Sequence, residues 1–201
     1  MKRLILLIII IALSAAAIYI RNNHLTPQTK AKSVPSYQLG DVMGELNGVN
    51  IYYNGNSSVS SGRNLAPDGY NLGLKYQCVE FVKRYYYQKL NHRMPDSWGH
   101  AKDFYDHTLS DGEFNSARGL LQFKNGGQSK PQPEDLIIYG PSENNSYGHV
   151  AIISKTSINE IEIAQQNSGP NGKARVSLKL SKDTNNWKIP HPRVLGWLRM
   201  P

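Results

Sequence analysis

Two residues carry most of the chemistry this sequence can offer. Cys78 is the chain's sole cysteine, and it follows Gln77 at the start of an amphipathic stretch. His149 follows Gly148 at the head of an apolar run, and two amide residues, Gln165 and Asn167, lie farther on. A lone cysteine with a distant histidine and an amide is the set needed for a thiol nucleophile, its base and a group that orients the base. The bland alternatives are a Cys78 that is merely a small buried apolar residue and a His149 that is a hydrogen-bonded core histidine.

The elements around these residues must bring them together. Tyr76 to Leu90 places Cys78, Phe81, Val82, Tyr85, Tyr86 and Leu90 on one helical face, with Gly73 as a turn before it and Asn91 as its end. Cys78 then falls in the first turn, where free N–H groups and the helix dipole favour an anion and are expected to lower the thiol pKa. The Cys78 N–H, with the Gln77 side chain as a second donor, would face a developing oxyanion. The middle of the chain, Asn91 to Pro133, reads as loops with a helix over His100 to Leu109.

Strands follow at Asp135–Tyr139, Gly148–Ile153, Ile158–Gln165, Ala174–Leu180 and Val194–Arg199. Short connections such as Thr156 to Asn159 favour antiparallel neighbours. Helices first and an antiparallel sheet second make the class α+β. His149 opens the central strand and Gln165 closes its neighbour, so Gln165 is placed to accept the ring N–H and fix the tautomer. Asn167 has the same parity if the strand persists and would share that role. The other histidines (His24, His92, His100, His107, His191) read as surface residues.

The N-terminus reads as a leader. Lys2 and Arg3 precede an apolar run from Leu4 to Ile20 broken only by Ser14 and Tyr19, and Ala15 and Ala17 offer a cleavage pattern. Residues 1–21 are therefore expected to be a signal peptide or signal-anchor helix attaching the chain to the membrane. Residues 22–38, with Pro27 and Pro35, are expected to be a linker. Residues 39–201 suffice for one domain with a core. The expected location of that domain is extracytoplasmic, membrane-anchored or secreted. The net charge is +8, from 23 Lys+Arg against 15 Asp+Glu, and it is scattered. That pattern suits attraction to an anionic polymer and gives no nucleic-acid signature, so no nucleic-acid partner is expected. The sequence has no metal-binding or phosphate-cradling motif, and no cofactor is expected.

The blocks YQCVEF (Tyr76–Phe81), GHVAII (Gly148–Ile153) and IAQQN (Ile163–Asn167) resemble the CHAP family of cysteine, histidine-dependent amidohydrolases/peptidases. Within it, the sequence is most similar to the amidase part of glutathionylspermidine synthetase/amidase. NIYYNG (Asn50–Gly55) and LGWLRMP (Leu195–Pro201) extend the likeness across the body. The resemblance implies a papain-like (NlpC/P60-type) fold, with N-terminal helices packed on a C-terminal antiparallel sheet. It also implies Cys78 as nucleophile and His149 as base. The family commonly has a Glu where this chain has Gln165, and Glu162 points to the opposite face. Three functions are compatible: an amidohydrolase acting on peptidoglycan, an amidase for a small conjugate such as glutathionylspermidine, and a degenerate wall-binding domain.

Overall fold

A computed structural model describes residues 18–19, 37–56 and 58–201. Apart from residues 18 and 19, the expected leader lies outside the described residues. Among the described residues no helix is long and apolar enough to cross a membrane.

From residue 37 the described chain builds one main sheet, three two-stranded hairpins and one α-helix, with two apolar clusters. Thirteen strands run β1 Val42–Leu46, β2 Val49–Tyr52, β3 Arg63–Leu65, β4 Asn71–Leu74, β5 Glu113–Asn115, β6 Leu120–Lys124, β7 Leu136–Tyr139, β8 His149–Thr156, β9 Glu160–Ala164, β10 Arg175–Lys179, β11 Ser181–Asp183, β12 Asn186–Lys188 and β13 Val194–Arg199. Seven of them form the main sheet in the order β10-β9-β8-β7-β13-β6-β5, antiparallel throughout. The remaining six pair as three hairpins.

Helix α1, Cys78–Leu90, follows the expected apolar spacing and stops at Asn91, whose left-handed backbone (φ 48) returns its N–H to Tyr86. Its face of Phe81, Val82, Tyr85 and Tyr86 packs with Leu136, Ile138, Val150, Ile152 and Leu198 of the sheet. The alternate residues of the same strands, Ile137, Tyr139, Ala151, Ile153 and Trp197, join Ile161 and Ile163 in a second cluster. Both faces of β7, β8 and β13 are thus covered, and this is why these strands read as near-continuous apolar runs rather than alternating ones.

The expected antiparallel sheet is present, but the expected N-terminal helices are not. From residue 37 on, α1 is the one α-helix among the described residues, and the segments before it are the hairpins β1–β2 and β3–β4. The signal was in the sequence. Asn47-Gly48, both with positive φ (50 and 82), supply a two-residue hairpin turn, and Val49 and Ile51 alternate inward. The helix expected over His100 to Leu109 is reduced to a 3-10 turn, Ala101–Phe104. The supposedly loop-rich middle also supplies β5 and β6 at one edge of the main sheet.

Candidate active site

The site assembles where the N-terminus of α1 meets β8. Tyr76 turns the chain into the helix with a left-handed backbone (φ 61), and Gln77 caps it in an extended conformation with no side-chain cap. Cys78 follows as the first helical residue, buried in one cluster with Val150, whose backbone acts to lower the thiol pKa. Val150 is the residue after His149, so one peptide unit separates this neighbour of the thiol from the residue bearing the base. No hydrogen bond joins the thiol and the ring among the described residues.

His149 is reached through a constrained turn. Gly148 has φ +74, and a Cβ there would stand 2.5 Å from the Tyr139 carbonyl oxygen. Only glycine fits that backbone at that approach. Tyr139 is the direct cross-strand partner of His149, with their rings 5.8 Å apart.

On the other side of β8, Gln165 accepts from His149 Nε2 through its Oε1, 3.0 Å away. Its own amide donates to the Lys173 carbonyl at 3.1 Å, which fixes which end of the amide faces the ring. A carbonyl oxygen can only accept, so Nε2 carries the proton and Nδ1 is left as the basic nitrogen.

The electrostatics keep both groups neutral at rest. Burial pushes the Cys78 thiol above its ordinary value, and the backbone hydrogen bonds of Val150, Val79 and its own N–H offset this only in part. The lowered thiol pKa expected from the helix position is therefore overturned, because desolvation of a buried thiolate outweighs the first-turn amides. Burial likewise lowers His149 to about 4; the Gln165 bond opposes that shift and the nearby positive charge of Arg193 adds to it. At rest the two groups are a protonated thiol and a neutral imidazole, suited to proton transfer during attack rather than to a standing ion pair.

Asn167 does not share the orienting of His149. β9 ends at Ala164, and Asn167 takes a left-handed backbone (φ 57), so the strand parity that would have aimed it at the ring is lost. Its Nδ2 donates instead to Gln77 Oε1. Gln77 in turn donates one N–H of its Nε2 to the Val59 carbonyl at 2.7 Å.

A buried network that sequence reasoning missed ties the two halves together. Gln166, 1% exposed, donates from Nε2 to the Gln77 carbonyl (2.9 Å) and to Glu80 Oε2 (2.8 Å), and its Oε1 accepts the Tyr52 N–H at 2.8 Å. Glu80 also pairs with Arg84 at 2.6 Å and accepts from Asn64 at 2.8 Å. The residue after the His149 orienter is thus bonded to the residue before the nucleophile. The i,i+4 spacing of Glu80 and Arg84 was the one legible trace of it. A pocket beside this network is lined by Tyr52, Asn64, Lys75, Tyr76, Glu80 and Arg84.

Two histidines read as surface residues are otherwise engaged. His92 Nε2 lies 2.8 Å from the Arg118 carbonyl, and His191 packs edge-on against Tyr139 at 5.2 Å. Among the described residues no cluster of His, Cys, Asp or Glu could hold a metal ion.

Residues 68–167, which contain Cys78, His149 and Gln165, match the family described as "CHAP domain". The chain carries a CHAP domain. The CHAP domain supports an amidohydrolase enzyme. The chain is 30% identical over 177 residues to trypanothione synthetase of Crithidia fasciculata, an alignment covering 81% of this chain and 26% of that protein. The chain thus spans about a quarter of that relative's length. Among solved structures, Ly7917 matches at 15% identity with a TM-score of 0.40, over 71% of this chain and 58% of that one. A second structure, of Ly7917 with the hydrolyzing product of MDP, matches at 17% identity with a TM-score of 0.39. These two likenesses are too distant to carry an argument.

Proposed function

We propose that this CHAP protein cleaves amide bonds of peptidoglycan by acyl transfer through Cys78. The observation that carries the chemistry is the His149–Gln165 bond, which leaves Nδ1 basic in the residue next to Val150, the thiol's neighbour. As substrate enters, Cys78 Sγ bonds to the carbonyl carbon and the thiol proton passes to His149 Nδ1. The oxyanion is received at the first turn of α1, where the Cys78 N–H has no helical partner. Collapse of this intermediate breaks the C–N bond, and His149 returns its proton to the departing amine. Water then attacks the thioester, losing a proton to His149, and the acid and free thiol are released.

The peptidoglycan assignment is supported by the scattered net charge of +8, which favours an anionic polymer, and by the leader expected over residues 1–21. We further propose that this leader places the domain outside the cytoplasm, attached to the membrane or secreted. A second reading, an amidase acting on a small conjugate of the glutathionylspermidine kind, is favoured by the 30% identity to trypanothione synthetase.

The test is hydrolysis by the full-length protein of muropeptides and of glutathionylspermidine side by side. Release of new amine from muropeptides alone supports the wall assignment. Release from the conjugate alone transfers the protein to the second reading.

A further inference from the structure

We propose that Arg193 is a specificity residue that binds a carboxylate carried by the leaving-amine fragment of the substrate. This rests on the acyl-transfer reading above and adds to it the charge of the group that departs.

Arg193 is held in place by its backbone. Its carbonyl accepts from the Gly140 N–H at 2.8 Å, and its own N–H donates to His191 Nδ1 at 3.2 Å. The next residue, Val194, pairs with Tyr139, and Tyr139 pairs with His149, so one cross-strand row leads from β13 to the base. The guanidinium lies over the Tyr139 ring, Cζ 5.9 Å from its centre, and the same ring lies 5.8 Å from that of His149. Its charge is felt at both His149 and His191, whose pKa values it helps to depress.

What distinguishes Arg193 is the lack of a partner for that charge. Among the described residues, Arg84, Arg93, Arg175 and Arg199 each pair with a carboxylate, Arg63 donates to Asn71, and Arg118 donates to backbone carbonyls. Arg193 has a ring face and no acceptor for its guanidinium. A planar, forked donor left open beside a base is matched by a carboxylate.

The geometry also says which part of the substrate would bring it. Gln165 occupies the β9 side of His149, whereas Tyr139 and Arg193 occupy the β7 and β13 side. The departing amine must sit at His149, because it receives its proton there. A charge contacted by Arg193 therefore belongs to the amine fragment. A bound carboxylate would neutralise Arg193 at the moment His149 becomes positive, while a polyamine would add a second repelled cation. The inferred class is an amine fragment with a free carboxylate, as an amino acid or peptide has.

The experiment uses full-length protein and three amides sharing one acyl group. Their leaving groups are an amino acid with free α-carboxylate, its carboxamide, and a diamine. The expected wild-type order of kcat/KM is carboxylate, carboxamide, diamine. Arg193→Gln should shrink the carboxylate-to-carboxamide ratio roughly ten-fold, mainly through KM. A uniform loss on all three substrates, or a wild type that prefers the diamine, overturns the proposal. Binding of the same three compounds to the Cys78→Ala protein separates the two layers of inference. A carboxylate preference that disappears with Arg193→Gln supports the role of Arg193 even if no amide is turned over, and equal binding of all three contradicts it.

Discussion

Gln165 Oε1 stands 3.0 Å from His149 Nε2, and the Lys173 carbonyl holds the far end of the same amide. A neutral side chain here fills the place where a carboxylate would both orient the imidazole and stabilise it once protonated. The orientation is retained and the charge is not. Together with burial and Arg193, this leaves His149 with a pKa of about 4.

A pH profile follows. The base works only when neutral, so kcat/KM should hold as pH falls through 6 and decline only as it approaches about 4. Gln165→Glu should move that acid limb upward, because a carboxylate favours imidazolium. An unmoved limb would mean that the group titrating in the profile is not His149.

The same shift predicts a stability change. Folded His149 binds its proton less readily than the unfolded residue does near pH 6.5. Between about 6.5 and 4 the unfolded state therefore holds more protons, and stability is lost as pH is lowered through that window. Thermal unfolding of wild type and His149→Gln across this range should show a steeper acid decline in wild type.

Removing the orienter without a substitute should cost turnover rather than binding. Gln165→Ala is expected to lower kcat roughly ten- to a hundred-fold with KM little changed, since the ring loses its fixed tautomer. Asn167→Ala should leave the pH limb in place, because its side chain is bonded to Gln77 and not to the ring. Steady-state kinetics on both variants separate the two amides.

Gln166→Leu should act on the fold. It strips Glu80 and the Gln77 carbonyl of a buried donor, and the penalty for such loss is about 1–3 kcal/mol for each group left unsatisfied. Urea unfolding measures it. A change below about 0.5 kcal/mol would mean that the network contributes little.

Much of this site was readable in the chain, and the reasons for the rest are physical. The first-turn place of Cys78 followed from apolar spacing, and the His149–Gln165 pair followed from strand ends. Asn167 escaped because the strand gives way to a left-handed residue, which parity counting does not foresee. Gln166 escaped because its partners are up to 114 positions away in sequence. Arg193 was invisible for the same reason: its nearness to His149 depends on the order β8-β7-β13, which only the assembled sheet defines.

The most direct test is mass spectrometry of the full-length protein during turnover of an amide substrate, with Cys78→Ala beside it. The predicted result is a transient acyl adduct on the peptide containing Cys78, with amine release that is lost in the variant. Undiminished amide hydrolysis by Cys78→Ala would contradict acyl transfer through this thiol.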